Sequence, residues 1–157
     1  MSETRFTKSL AKHIEYIRDD LIEIIHQLYL KALHHDDSKW SDEERPYYEK
    51  SDEAVNFYGK EIDSYEELLK ITAPITAPAI KHHFEVSTHH PEHYKNGVND
   101  MSLVDIIEMV CDWHSSAKTR GLPLDCEFNF KRFGIDEQLQ NIIKNTLKEL
   151  DKLENKE

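Results

Sequence analysis

Residues 9–33, SLAKHIEYIRDDLIEIIHQLYLKAL, decide the fold class. Leu10, Ile14, Ile17, Leu21, Ile24, Ile25 and Leu28 recur at steps of three and four, and no Gly or Pro interrupts them. That is the period of an amphipathic helix and not the alternation of a strand. His13 sits among the apolar positions of this helix, one turn before Ile17. Two more segments toward the other end carry the same signal. Ser102 caps a helix through Ala117 whose core side is Leu103, Ile106, Ile107, Val110 and Trp113, closed by Gly121. A last helix, from Asp136 to about Leu153, sets Leu139, Ile142, Ile143, Leu147 and Leu150 on one face.

The middle of the chain is less regular. The spacing predicts a helix over 41–51, opened by a Ser41-x-x-Glu44 capping box with Pro46 in its first turns. Residues 52–65 are polar and tyrosine-rich, in part helical. Ser64 is placed to cap a helix containing Leu68, Leu69 and Ile71. The repeated Thr-Ala-Pro at 72–74 and 76–78 predicts a break or kink, because proline lacks the amide the helix needs. A further helix over 78–88 would deliver His82 and His83, with Pro91 ending it just past His89-His90. Asn96-Gly97 marks a turn, and 122–134 reads as a loop with a short extended piece at 127–130. The expected architecture is all-α: a single-domain helical bundle over 1–157, its last four residues or so fraying.

Composition agrees. A chain of 157 residues forms one domain and buries about two thirds of its unfolded surface. With 38% hydrophobic and 32% charged residues, and only four Gly and five Pro, there is little turn chemistry for many strands. The net charge of −11 excludes a protein that grips nucleic acid through its phosphates. It does not exclude a small anionic substrate, since a bound dication dominates a local pocket. Cys111 and Cys126 form no CxxC and no disulfide framework. No signal-peptide core and no membrane-spanning stretch is visible, so a cytoplasmic setting is expected.

The ten histidines carry the functional signal. One cluster is His34-His35-Asp36-Asp37-Ser38-Lys39; the other is His82-His83 followed by His89-His90-Pro91-Glu92-His93. Neutral imidazole and carboxylate are the usual ligands of divalent transition metals. His35 and Asp36 can share one metal or bridge two if the backbone turns there; extended backbone would send them to opposite faces. The bland alternative is a polar helix end with histidines near its negative pole. On a continuing helix His83 and His90 share one face and His82 and His89 another, so one pair can point inward; a solvated histidine-rich helix end is the alternative. Asp105, Glu108 and Asp112 line one helix face, which is either functional or the solvent side. Asp112, near the negative helix end beside Trp113, calls for a compensating cation. His26, His93 and His114 read as structural or surface residues.

Taken in order, His13, His35-Asp36, Lys39, His83, His89-His90-x-Glu92 and Asp112 resemble the HD-domain metal-dependent phosphohydrolase superfamily. The Lys three residues after the pair and the His-His-x-Glu run are most similar to its cyclic-dinucleotide phosphodiesterase branch. The Gly-Tyr-Pro signature of that branch is absent, so its substrate is not carried over. The chain resembles more closely a family of small uncharacterised bacterial and phage proteins. It shares with them His-Asp-x-Ser-Lys-aromatic-Ser-x-Glu-Glu (35–44), His-His-Pro-Glu-His-aromatic (89–94) and Glu-Met-x-x-Asp-Trp (108–113). Where that family often has Asn four residues after the intermediate histidine, this chain has Ser87.

The resemblance implies an all-helical domain and a metal-dependent phosphohydrolase acting on a small phosphorylated molecule, a nucleotide foremost. His35, Asp36, His83, His89 and Asp112 would be ligands, with His13 and His90 as additions, and Asp36 able to bridge two ions. A bound dication lowers the pKa of water from about 15.7 toward about 7, giving hydroxide for attack. Lys39 would neutralise charge on the phosphoryl oxygens, Asp105 or Glu108 would orient the water, and Arg18 and Lys81 would contact phosphate. One or two ions of Mn²⁺, Fe²⁺, Co²⁺, Ni²⁺ or Zn²⁺ suit so histidine-rich a set; Mg²⁺ alone is a poor match. Two rivals stand beside this: a catalytically inactive metal- or nucleotide-binding module, and a helical partner-binding protein with a structural metal; all three readings leave a homodimer open.

Overall fold

Thr4 opens the first helix with its side chain, accepting a hydrogen bond from the Thr7 amide at 3.2 Å. From there α1 runs without interruption over Arg5–His34. The structure, a computed structural model, describes residues 4–58 and 65–154. Among these there is no strand, and the chain is all-helical as its periodicity predicts. Beyond α1 lie α2 (Arg45–Tyr58), α3 (Tyr65–Val86), α4 (Leu103–Thr119), α5 (Cys126–Phe133) and α6 (Glu137–Glu154). Short 3₁₀ turns occupy Asp37–Trp40, Pro91–His93 and Gly97–Asp100. No helix among the described residues is long and apolar enough to cross a membrane. The cap expected at Ser64 and the frayed tail at 155–157 lie outside the described residues.

The chain divides into two compact units, Met1–His35 and Asp36–Glu157. The first is helix α1, which buries none of its residues. The second has a core of Met109, Val110, Trp113, Phe130, Ile135, Ile143 and Leu147. Trp113 stacks on Phe133 with ring centroids 5.8 Å apart and planes 6° from parallel. The α4 start follows its sequence: Ser102 accepts from the Asp105 amide while the Asp105 carboxylate accepts from the Ser102 amide. Gly121, at φ +64, ends it, and the Leu122 amide reaches back to the Ala117 carbonyl at 3.0 Å.

Five local expectations are corrected. First, α2 begins at Arg45 and not at Ser41, since Asp37–Trp40 forms a 3₁₀ turn and Glu44 turns inward. Second, α3 continues through Pro74 and Pro78 without a break. The prolines are four apart, so their two missing donors fall on one side, and the Thr72 and Thr76 hydroxyls bond back to the Leu68 and Thr72 carbonyls. Packing of α3 against α2 outweighs the local preference. Third, α3 stops at Val86, so His89 and His90 lie on a turn and not on a continuing helix. Fourth, residues 127–130 belong to α5, because the Asp125 side chain accepts from the Phe128 amide at 2.9 Å and nucleates a helix. Fifth, of the expected core side of α4, Val110 and Trp113 are buried and Ile106 packs against them, but Leu103 is 74% exposed and Ile107 lies outward too. Asp105, by contrast, is buried and Glu108 is nearly so. The acidic face of α4 points into the protein, where its partners are.

Candidate metal centre

Asp36 has φ +62, the only non-glycine among the described residues in the left-handed region. Aspartate tolerates this better than most residues, but it still costs of order 1 kcal/mol. The bend, followed at once by the 3₁₀ turn with the Lys39 amide bonded to the Asp36 carbonyl at 2.9 Å, supplies the turn that an adjacent His-Asp pair needs. At the other side of the site, the Ser87 amide caps the His83 carbonyl at 2.9 Å and the His90 amide bonds to the Ser87 carbonyl at 3.2 Å. This reversal folds His89 and His90 back over His83. Ring centroids of His83 and His90 stand 4.8 Å apart, and those of His89 and His90 4.3 Å.

Two sets of side chains could hold a metal ion: His83, His89 and His90, and His35, Asp36 and His89. His89 belongs to both, so the arrangement suits one ion or a pair. Asp36 Oδ1 lies 3.2 Å from His83 Nε2 and 3.6 Å from His89 Nε2. Metal bonds of about 2.0–2.1 Å in a tetrahedral shell separate donors by about 3.3 Å, so these spacings fit an ion placed between them.

The far nitrogens of the two rings explain which atoms are offered. His83 Nδ1 is ringed by Ser38 Oγ at 2.8 Å, Ser87 Oγ at 3.2 Å and Glu44 Oε2 at 3.3 Å. His89 Nδ1 faces Glu108 Oε1 at 3.5 Å. A carboxylate only accepts, so Glu44 and Glu108 favour the tautomer with the proton on Nδ1, which turns the Nε2 lone pair toward Asp36. His83 Nε2 is buried and makes no hydrogen bond among the described residues. An unprotonated nitrogen 3.2 Å from a carboxylate oxygen repels it unless a cation lies between. The donor set fits a metal.

His90 is held neutral: burial first, then the charges of His89 and His83, lower its pKa to about 3, against the opposing pull of Asp112 and Asp36. Tyr48, near Glu44 and Asp36, is raised to about 12, chiefly by burial. Lys39 Nζ pairs with Asp36 Oδ2 at 2.5 Å, so the carboxylate is shared between a cation on one oxygen and the two imidazoles on the other.

The structure therefore brings together His35, Asp36, Lys39, His83, His89, His90 and Glu108. Asp112 is in neither ligand set but lies close enough for its charge to act on His90. Asp105 is engaged at the start of α4, where Tyr94 donates to it at 3.0 Å. Lys81 is exposed and 3.8 Å from Glu85 on the surface of α3. His13 and Arg18 are exposed positions of α1.

The roles of three residues, Glu44, Ser38 and Ser87, go beyond the sequence reading. Glu44, read as a helix cap, is fully buried, with Oε1 2.9 Å from His82 Nδ1 and Oε2 facing His83. Its signal was the paired Glu43-Glu44, of which a cap needs only one. Ser38 and Ser87 both touch His83; Ser87 stands where the related family often has Asn and still reaches the ring.

No curated protein and no solved structure is similar to this chain. A family model does match, over residues 2–150, and its description is a family of unknown function. The match spans nearly the whole chain, all the site residues included, and the chain belongs to that family, DUF5662.

Proposed function

We propose that the chain is a metal-dependent phosphohydrolase of the HD-domain kind, acting on a small phosphorylated molecule, with nucleotides the first class to test. The observation that carries this reading is the common orientation of His83 and His89. Each turns Nε2 to the same oxygen of Asp36 and keeps Nδ1 against an acid, Glu44 or Glu108. Carboxylate–imidazole pairs of this sort orient metal ligands and raise their basicity. A dication held there supplies Lewis acidity, acidifying water and drawing charge from a phosphoryl oxygen.

The remaining work falls to the chain's own groups. Asp36 offers Oδ1 to the ion and holds Lys39 through Oδ2, which fixes a positive charge beside the site. Lys39 is 40% exposed and Asp36 23%, whereas the rings of His83 and His89 are sealed, so the site opens on the lysine side. An opening flanked by a cation suits an anionic substrate even in a chain of net charge −11. Glu108 fixes the His89 ring, and His90, neutral at pH 7, keeps a lone pair for coordination. His35 and His89 complete the donor set beside Asp36.

The test is to strip the protein with chelator, reload it separately with Mn²⁺, Fe²⁺, Co²⁺, Ni²⁺ and Zn²⁺, and assay generic phosphoesters and a nucleotide panel. Turnover should return with metal and vanish in Asp36→Ala while the helical circular dichroism persists. Metal uptake without turnover on any substrate would replace the enzyme by a binding module. Unfolding on stripping would make the ion structural.

A further inference from the structure

The adjacent imidazoles His82 and His83 meet one acid from the same turn of α3, yet only His83 faces Asp36. His82 Nδ1 donates to Glu44 Oε1 at 2.9 Å, while Glu44 Oε2 stands 3.3 Å from His83 Nδ1. A single carboxylate thus spans both rings.

Glu44 is 0% exposed, and its backbone is tied at the start of α2. Its amide bonds to the Ser41 carbonyl at 3.3 Å, and its own carbonyl accepts from the Tyr47 amide at 3.1 Å. That places the acid but does not aim it. The last torsion of a glutamate is broad and roughly two-fold, so partners at the oxygens must fix the carboxylate plane. Oε2 makes no hydrogen bond among the described residues. The His82 bond to Oε1 is therefore what sets the plane, and with it the position of Oε2 against His83.

That position matters because the other two groups around His83 Nδ1 are indifferent. Ser38 Oγ at 2.8 Å and Ser87 Oγ at 3.2 Å are hydroxyls, able to donate to a bare nitrogen or accept from a protonated one. A carboxylate only accepts, so the aim of Glu44 tips the balance between the two His83 tautomers.

We infer that His82 is a positioning residue for the metal centre: acting through Glu44, it favours the His83 proton on Nδ1 and so readies Nε2 for the ion. This role rests on the metal centre of the reading above and not on turnover.

Zn²⁺ affinity, measured on the full chain against a competing chelator, tests it. His82→Ala should weaken binding about tenfold, the lower end for partners of metal ligands. His82→Asn should restore most of the loss, because its amide nitrogen takes the place of Nδ1 and donates to Oε1. In a Glu44→Ala background, His82→Ala should add nothing, since the two act as one chain. Nitrogen NMR of the metal-free protein reads the same effect without an ion: the Nδ1-protonated form of His83 should predominate in the wild type and in His82→Asn, and recede in His82→Ala. His82→Leu, which has the shape of asparagine without its donor, covers the case in which the alanine variant unfolds. Wild-type affinity in His82→Ala or His82→Leu would overturn the role of His82 and leave the metal centre standing. So would losses that add in the double variant, or an asparagine that rescues nothing. A wild-type protein that takes up no Zn²⁺ would remove the centre itself, and His82 with it.

Discussion

Glu44 Oε2 stands 3.3 Å from His83 Nδ1, both side chains almost sealed from solvent and neither within an apolar core. A buried carboxylate is costly unless it is engaged, and this one spans two imidazoles, His82 through Oε1 and His83 through Oε2. Its charge favours the His83 tautomer with the proton on Nδ1, away from Asp36. Removing it should weaken metal binding by about 10–100-fold in Glu44→Ala, with Glu44→Gln in between because the amide still fills the space. Equilibrium dialysis against a competing chelator measures this. Equal affinity in all three proteins would mean that Glu44 serves the fold and not the ligand.

The left-handed backbone of Asp36 should be a local cost accepted for the site. Asp36→Gly and Asp36→Ala both remove the carboxylate and should both lose the metal. They should differ in metal-free stability, with the glycine variant more stable by about 1 kcal/mol, since only alanine keeps the strain. Urea unfolding of the two stripped proteins gives the difference. Equal midpoints would show that the turn carries no strain.

His90 sets a pH dependence in the stripped protein. Its folded pKa of about 3 lies below the ordinary 6.5, so between these values the unfolded chain binds a proton that the folded one does not. Stability is then complete above 6.5 and falls as pH drops through that window. His90→Asn should flatten the fall, as followed by thermal unfolding between neutral pH and pH 4. A profile identical to wild type would remove His90 from the account.

Adjacent isoleucines on α6 offer a direct check of the core. Ile143 is 1% exposed and Ile142 is 51%. Ile143→Ala should cost about 3–4 kcal/mol through lost burial and a residual cavity, while Ile142→Ala should cost less than about 1 kcal/mol. Chemical denaturation of each variant reads both values.

The helices were legible where the apolar period is long and the ends are marked, as in α1, α4 and α6. What misled was local chemistry overridden by packing. Pro74 and Pro78 read as a break, yet α3 lies along α2 and continues. Leu103 and Ile107 read as core, yet α4 presents Asp105 and Glu108 inward, because Tyr94 and His89 await those acids. The candidate ligands were visible as residue types, but their convergence rests on a chain reversal at Ser87 that no local signal announced. Glu44 was hidden for a further reason: in sequence, a buried carboxylate and a helix cap look alike.

The separation of Asp36 from His83 along the chain has a mechanical corollary. An ion gripped by both would act as a staple, closing a loop of nearly fifty residues that no disulfide constrains. On the loop-entropy arithmetic used for covalent cross-links, such a closure takes about 4 kcal/mol of freedom from the unfolded chain. Occupancy would then govern the lifetime of the protein against proteases as much as its chemistry.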